Sequence, residues 1–219
     1  MRLLLIRHGQ TPSNVLGLLD TAAPGAGLTE LGRQQAEQVP VTLADARIDS
    51  IWVSTLLRTA LTAAPLERTT GFPARLIDGL EEISAGDLEN KSNKASVRTY
   101  LETAFAWAEG DLDRRMPGGP DGLAFFARYD AAIDVVAEGG GETAVVFSHG
   151  AAIRVWVAAR AGNSDAASAE AHGLRNTGCV ELEGSPSDGW TLVKWTETPV
   201  DGALSGAAAA DPTGESLDD

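Results

Sequence analysis

Leu3-Leu4-Leu5-Ile6 is an unbroken apolar run that ends on Arg7-His8-Gly9, and Ala144-Val145-Val146-Phe147 repeats the arrangement ahead of Ser148-His149-Gly150. Apolar runs of this length bounded by polar residues fit strands buried on both faces, as found inside parallel sheets covered by helices. Such sheets place their chemistry at the carboxyl ends of their strands. Both histidines fall at that end, so one sheet edge receives two imidazoles. Gly9 lets the chain turn tightly and bring backbone N–H groups toward a ligand. An Arg beside a His at a strand end suggests an anion site in which the imidazole is either a phosphate contact or the nucleophile itself.

Between these two stretches, Ile51-Trp52-Val53 reads as a strand leading through a Ser54/Thr55 cap into a helix with Arg58 in its first turn. That places a second guanidinium beside a helix N-terminus, which favours anions. A third strand, Pro73 to Asp78, precedes a loop, Leu80 to Glu89, that supplies carboxyl groups. Alternating strands and helices predict an α/β domain with a mostly parallel sheet. Further helices are expected from Thr29 to Pro40, Val97 to Glu109, Leu123 to Glu138 and Ala151 to Ala161, with a final strand pair at Gly178–Leu182 and Trp190–Trp195. Thr11 to Gly27 reads as an irregular loop.

With 219 residues, one domain over 1–200 is the expectation. Within it, 91–119 reads as a variable lid region. Residues 201–219, rich in Ala, Gly, Ser and Asp, cannot bury enough apolar area to offset ordering entropy and are expected to form a disordered tail. The formal net charge is −14, and lysine occurs only at Lys91, Lys94 and Lys194. So acidic a chain repels nucleic acid and anionic membranes. A small phosphate ester stays compatible, because two arginines in a cleft outweigh distant surface acids screened within roughly 8–10 Å. No apolar stretch is long enough to span a bilayer and no signal-peptide pattern is present, so a cytoplasmic location is expected. Cys179 is the single cysteine and reads as a small core residue.

Four ordered motifs carry a resemblance. Arg7-His8-Gly9, Ser54-x-x-x-Arg58-x-x-x-Thr62-Ala63, Leu80-x-Glu82-x-x-x-Gly86-x-x-Glu89 and Ser148-His149-Gly150 are similar to the signatures of the histidine phosphatase superfamily, in its phosphoglycerate-mutase-like branch. The resemblance implies a three-layer α/β/α sandwich, with His8 phosphorylated during turnover. It implies that Arg7, Arg58 and His149 hold the phosphoryl oxygens, beside Gly150, and that Glu82 is the proton donor. Thr11 and Asn14 stand where the resemblance puts further phosphate contacts; turn chemistry explains both equally well. Arg114 and Arg115 belong either to a lid that meets an anionic substrate or to a solvated loop. Gly118-Gly119-Pro120-Asp121 stands where the family usually carries Gly-Gly-Glu-Ser, so no contact is carried over there.

A guanidinium stays charged and offers a planar fork to two oxygens, which suits Arg7 and Arg58. His8 has to attack as the neutral ring, so its other nitrogen is expected against a backbone carbonyl. His149 is expected to be a cation, raised by the anion it touches. In the acid phosphatase branch an Asp follows the second histidine and donates the proton; Gly150 stands here instead, which points to Glu82. The adjacent Glu81 faces the other way on an extended chain and ranks second. Arg7 and Arg58 would repel a divalent cation, so no metal is expected. The leading expectation is a metal-independent, cofactor-free phosphatase for a small phosphorylated metabolite, acting as a monomer or homodimer. The alternative is a 2,3-bisphosphoglycerate-dependent mutase, whose substrate contacts Asn90-Lys91 and Arg114-Arg115 resemble. Against it, mutases continue Arg-His-Tyr-Gly after the glutamate where this chain has Ile83-Ser84-Ala85-Gly86. A binding relative without activity is the third possibility, opposed by the intact set of five site residues.

Overall fold

The computed structural model of the chain describes residues 1–197 and 211–214. In chain order the elements are β1 (Arg2–Arg7), α1 (Pro12–Val15), α2 (Glu30–Thr42), β2 (Ser50–Val53), α3 (Leu57–Thr70) and β3 (Ala74–Leu76). They continue with α4 (Lys94–Ala108), α5 (Gly122–Gly139), β4 (Thr143–Ser148), α6 (Gly150–Arg160), α7 (Ala166–Ala171), β5 (Cys179–Ser185) and β6 (Gly189–Thr196). The strands form one six-stranded sheet in the order β3-β2-β4-β1-β5-β6. β3, β2, β4 and β1 run parallel, and β5 and β6 add an antiparallel edge.

The apolar runs of β1 and β4 serve two cores at once. Leu3, Leu5, Ala144 and Val146 face a cluster that includes Leu101, Phe105, Trp107, Phe126, Tyr129 and Trp156 from α4, α5 and α6. Leu4, Ile6, Val145 and Phe147 face Val39 of α2 and Ala63 and Leu66 of α3. Successive residues of a strand point to opposite faces, so a continuous apolar run is what two covered faces demand. A slip of one residue would exchange the two sets, which fixes the register of Leu3 on Ala144. The result is the three-layer α/β/α arrangement, with helices on both faces of a mostly parallel sheet.

Local signals explain the helix starts. Thr29 caps α2 by accepting from Gly32 N, and Asn93 and Asp121 cap α4 and α5 in the same way. Pro40 falls in the last turn of α2, which runs on to Thr42. One expectation is corrected. The segment from 11 to 27 is not wholly irregular: Thr11 and Asn14 form a capping box around the short helix α1. Within 91–119, α4 packs on the core, because Tyr100, Leu101, Ala104, Phe105 and Trp107 recur at helical spacing and join the main cluster. Of the expected disordered tail, 201–210 and 215–219 lie outside the described residues. Asp211–Gly214 are described, and Asp211 and Thr213 are buried there. Disorder therefore does not extend to these four, which meet a buried cation, Arg7. Among the described residues no helix is long and apolar enough to cross a membrane.

Candidate active site

β1 and β4 are neighbours, paired at Arg7 and Ser148, so their next residues, His8 and His149, leave the sheet at the same level. His8 N donates to the Ser148 carbonyl at 3.1 Å, and the two imidazole rings are 5.3 Å apart and buried. Gly9 has a different reason from the one expected. A Cβ there would lie 2.6 Å from the Gly32 carbonyl oxygen, so glycine is needed because α2 crosses the loop closely. The Gly9 N–H donates to Thr62 Oγ1 at 2.9 Å, tying the loop to α3.

His8 Nδ1 lies 2.8 Å from the Gly9 carbonyl. A carbonyl only accepts, so Nδ1 carries the proton and Nε2 the lone pair. Burial, then Arg58 and Arg7, hold His8 well below the ordinary imidazole value and keep it neutral. His149 is bonded at both ring nitrogens. Arg58 Nε donates to its Nδ1 at 3.3 Å, which leaves the proton on Nε2, 2.7 Å from Ser54 Oγ. Burial comes first and Arg58 second in holding His149 well below its ordinary value. Burial and the guanidiniums of Arg58, Arg128 and Arg7 oppose a positive charge on the ring, so a cationic His149 depends on the anion expected to touch it. Ser54 is also reassigned: α3 begins after Leu56 without a side-chain cap, and the Ser54 hydroxyl meets His149 instead.

The two arginines reach the site from β1 and from the first turn of α3. Arg7 donates from Nη1 to the Leu174 carbonyl at 2.9 Å and from Nη2 to Asp211 Oδ1 at 2.7 Å and Thr213 Oγ1 at 2.9 Å. Arg58 Nη2 donates to the Asp20 carbonyl at 2.9 Å, with Nη1 3.9 Å from the Asp20 carboxylate. Arg7 Nε and Arg58 Nη1 are buried without a hydrogen-bond acceptor among the described residues. An unsatisfied buried donor costs roughly 1–3 kcal/mol, more when charged, so these two groups mark a place built for an anion.

Glu82 comes from the loop after β3 and is buried. Its Oε1 accepts from Ile83 N at 3.0 Å and Ala152 N at 2.8 Å, and its Oε2 from Ala151 N at 3.2 Å, which sets it at the amino end of α6. Burial raises its pKa above the ordinary carboxylate value, against the opposing pull of these N–H groups, Arg58 and Arg7. Arg128 of α5 holds the loop by donating to the carbonyls of Gly79, Glu81 and Glu82 at 2.7, 2.9 and 2.9 Å. Glu81 points elsewhere, to Thr55 Oγ1 at 2.7 Å and Gly79 N at 2.8 Å.

Asn14 joins the cluster, since its Nδ2 donates to Asp211 Oδ1 at 3.1 Å, while Thr11 is held by the capping box. Gly150 is in contact with the cluster: a Cβ on it would lie 3.0 Å from Arg7 Nε. Arg115 does not join; it is exposed and paired with Asp121 at 2.9 Å. Arg114 is exposed, and its carbonyl accepts from Trp107 Nε1. For these two the solvated-loop alternative describes the structure, because α4 and α5 draw the loop onto themselves. Among the described residues no three His, Cys, Asp or Glu side chains gather as a metal ion would need. Sequence reasoning missed Ser54 as a partner of His149, Asp20, Arg128 and Asp211. Of these only Ser54, four residues before Arg58 in a quoted motif, carried a signal.

The model of the histidine phosphatase superfamily (branch 1) matches residues 3–198. A PE-PGRS family protein, PE_PGRS11, of Mycobacterium tuberculosis is 36% identical over 211 residues, 89% of this chain and 36% of that protein. The adenosylcobalamin/alpha-ribazole phosphatase of Salmonella typhimurium is 33% identical over 128 residues, 58% of this chain and 62% of that one. The chain thus spans less than two thirds of the length of these relatives. A solved mycobacterial glucosyl-3-phosphoglycerate phosphatase, complexed with VO3, superimposes with a TM-score of 0.74 at 28% identity, covering 90% of this chain and 99% of that chain.

Proposed function

The chain belongs to branch 1 of the histidine phosphatase superfamily, and from that premise we propose that it hydrolyses a small phosphorylated metabolite through a phosphohistidine at His8. The observation that carries this reading is the pair of buried N–H groups on Arg7 and Arg58 that meet no acceptor among the described residues, beside two imidazoles 5.3 Å apart. Guanidinium forks suit the equatorial oxygens of a phosphoryl group, where catalysis rests on positioning and charge. A polyanion is a poor fit to a chain of net charge −14. Two of the similar proteins are named as phosphatases of small molecules, which supports the same class.

In the first step the His8 Nε2 lone pair attacks phosphorus in line, the phosphorus–oxygen ester bond breaks, and Glu82 gives its proton to the leaving alkoxide. The raised pKa of Glu82 keeps that proton available. The lowered pKa of His8 keeps the lone pair free. In the second step water attacks phosphorus, the nitrogen–phosphorus bond breaks, and the Glu82 carboxylate takes the water's proton. Orthophosphate leaves and both groups return to their starting states. Arg7, Arg58 and His149, with Asn14 and the amino end of α6 at Gly150, hold the phosphoryl oxygens throughout.

The test is hydrolysis of an aryl phosphate by the full chain, with base-quenched protein digested and weighed for one added phosphoryl group on the His8 peptide. His8→Ala is expected to lose both turnover and the modified peptide. Full turnover in that variant ends the proposal. Isomerisation of a phosphoglycerate without release of phosphate would replace it with the mutase.

A further inference from the structure

Asp211–Gly214 lie beyond residues 3–198, the span shared with the family, yet they sit inside the site. One oxygen of Asp211, Oδ1, accepts from Arg7 Nη2 at 2.7 Å and from Asn14 Nδ2 at 3.1 Å. Thr213 Oγ1 accepts from the same Arg7 nitrogen at 2.9 Å. The segment is anchored by its backbone as well: Leu174 N donates to the Gly214 carbonyl at 2.9 Å, and Arg154 Nη1 donates to the Thr213 carbonyl at 3.3 Å. It lies directly on α6, since a Cβ at Gly150 would come 2.5 Å from the Thr213 carbonyl oxygen. Arg7, Asn14 and Gly150, three of the groups assigned above to the substrate phosphoryl, are therefore engaged by this one stretch of chain.

We propose that Asp211–Gly214 is an internal ligand of the phosphoryl site, its carboxylate holding the donors of Arg7 and Asn14 until a phosphoryl group displaces it. A carboxylate offers oxygens to a guanidinium as a phosphate does, so it relieves part of the desolvation of a buried Arg7. It does not reach every donor: Arg7 Nε and Arg58 Nη1 stay without an acceptor among the described residues. A tetrahedral dianion carries more charge and a third oxygen for those two, and that differential favours exchange. Occupancy by the segment lowers the apparent affinity for any phosphoryl ligand by the fraction of sites left open. The identity of the displacing group rests on the proposed function; the presence of an internal ligand does not.

Full-length wild type, Asp211→Ala and Thr213→Val are compared in two measurements: orthophosphate binding by calorimetry, and KM and kcat for an aryl phosphate. With Asp211→Ala the orthophosphate Kd and the KM are expected to fall by the same factor, about tenfold if the segment fills nine sites in ten. Thr213→Val moves both the same way by less. Asp211 and Thr213 belong to neither core cluster, so both variants are expected to stay folded, which thermal melting checks. A rise in Kd with a fall in kcat would make Asp211 a fixed support for Arg7 and overturn the proposal, as would an unchanged Kd in both variants. If wild type binds orthophosphate, Asp211→Ala binds it more tightly and no ester is hydrolysed, the internal ligand stands and the phosphatase reading falls. If instead the ester is hydrolysed and Kd does not change, the phosphatase reading stands and the internal ligand falls.

Discussion

Arg128 donates to the carbonyls of Gly79, Glu81 and Glu82 at 2.7–2.9 Å, whereas Arg7 Nε and Arg58 Nη1 are buried and meet no hydrogen-bond acceptor among the described residues. The clamp and the cradle are built from the same side chain, half-buried in the clamp and fully buried in the cradle. In the clamp the guanidinium's charge-assisted bonds go to backbone oxygens, and what they achieve is the position of the Glu82 loop. In the cradle part of the fork is withheld from the protein, which lowers stability and leaves the site ready for an anion. Burial pulls both Arg58 and Arg128 below the ordinary value, and satisfaction of the donors separates them.

Three experiments put this contrast at risk. The largest effect is expected at the group the clamp positions: Glu82→Gln should lower kcat for an alkyl phosphate by about 10²–10⁴, and by less for an aryl phosphate with a good leaving group. Because Glu82 must enter protonated, kcat/KM in the native enzyme falls as pH rises through its raised pKa, and that alkaline limb should be absent in the variant. Steady-state profiles of the two proteins check both statements; equal losses on both esters would remove Glu82 from the proton transfer.

Next in size, Arg128→Met removes the donor from three carbonyls and should cost about 2–4 kcal/mol of stability, read by urea denaturation, because each buried acceptor is left unsatisfied. Its kcat should fall more than its orthophosphate affinity, since the loop and not the cradle is released. The smallest effect is expected from Arg58→Lys, which keeps the charge and loses the fork. Orthophosphate affinity should weaken about 10–100-fold, or 1.4–2.7 kcal/mol, with stability nearly unchanged, since the unpaired Nη1 donor is lost together with the bond from Nη2 to the Asp20 carbonyl. A clear loss of stability in this variant would mean that the cradle is as structural as the clamp.

Much of this was legible along the chain. The two strand–His–Gly stretches placed His8 and His149 at one sheet edge because an apolar run and the polar residues that end it are neighbours in sequence. Thr29, Asn93 and Asp121 cap helices through bonds spanning three residues. The helix expected from Val97 to Glu109 was legible in the same way: large apolar residues at helical spacing make a packing face, and α4 joins the main cluster. Ser54 was read as a cap because its own helix is its nearest partner, yet it bonds to His149, 95 positions away.

Periodicity and termination are properties of short segments, so the order of residues alone told which side chains alternate into two cores and which imidazoles and guanidiniums stand at strand ends. How those groups are finished was settled only by packing: the bond from Arg58 to His149, the Arg128 clamp on the Glu82 loop, and the Asp211 carboxylate on Arg7, 204 positions away. Burial and pairing depend on which distant segments close around a charge, and that becomes fixed only once the sheet and its helices have come together.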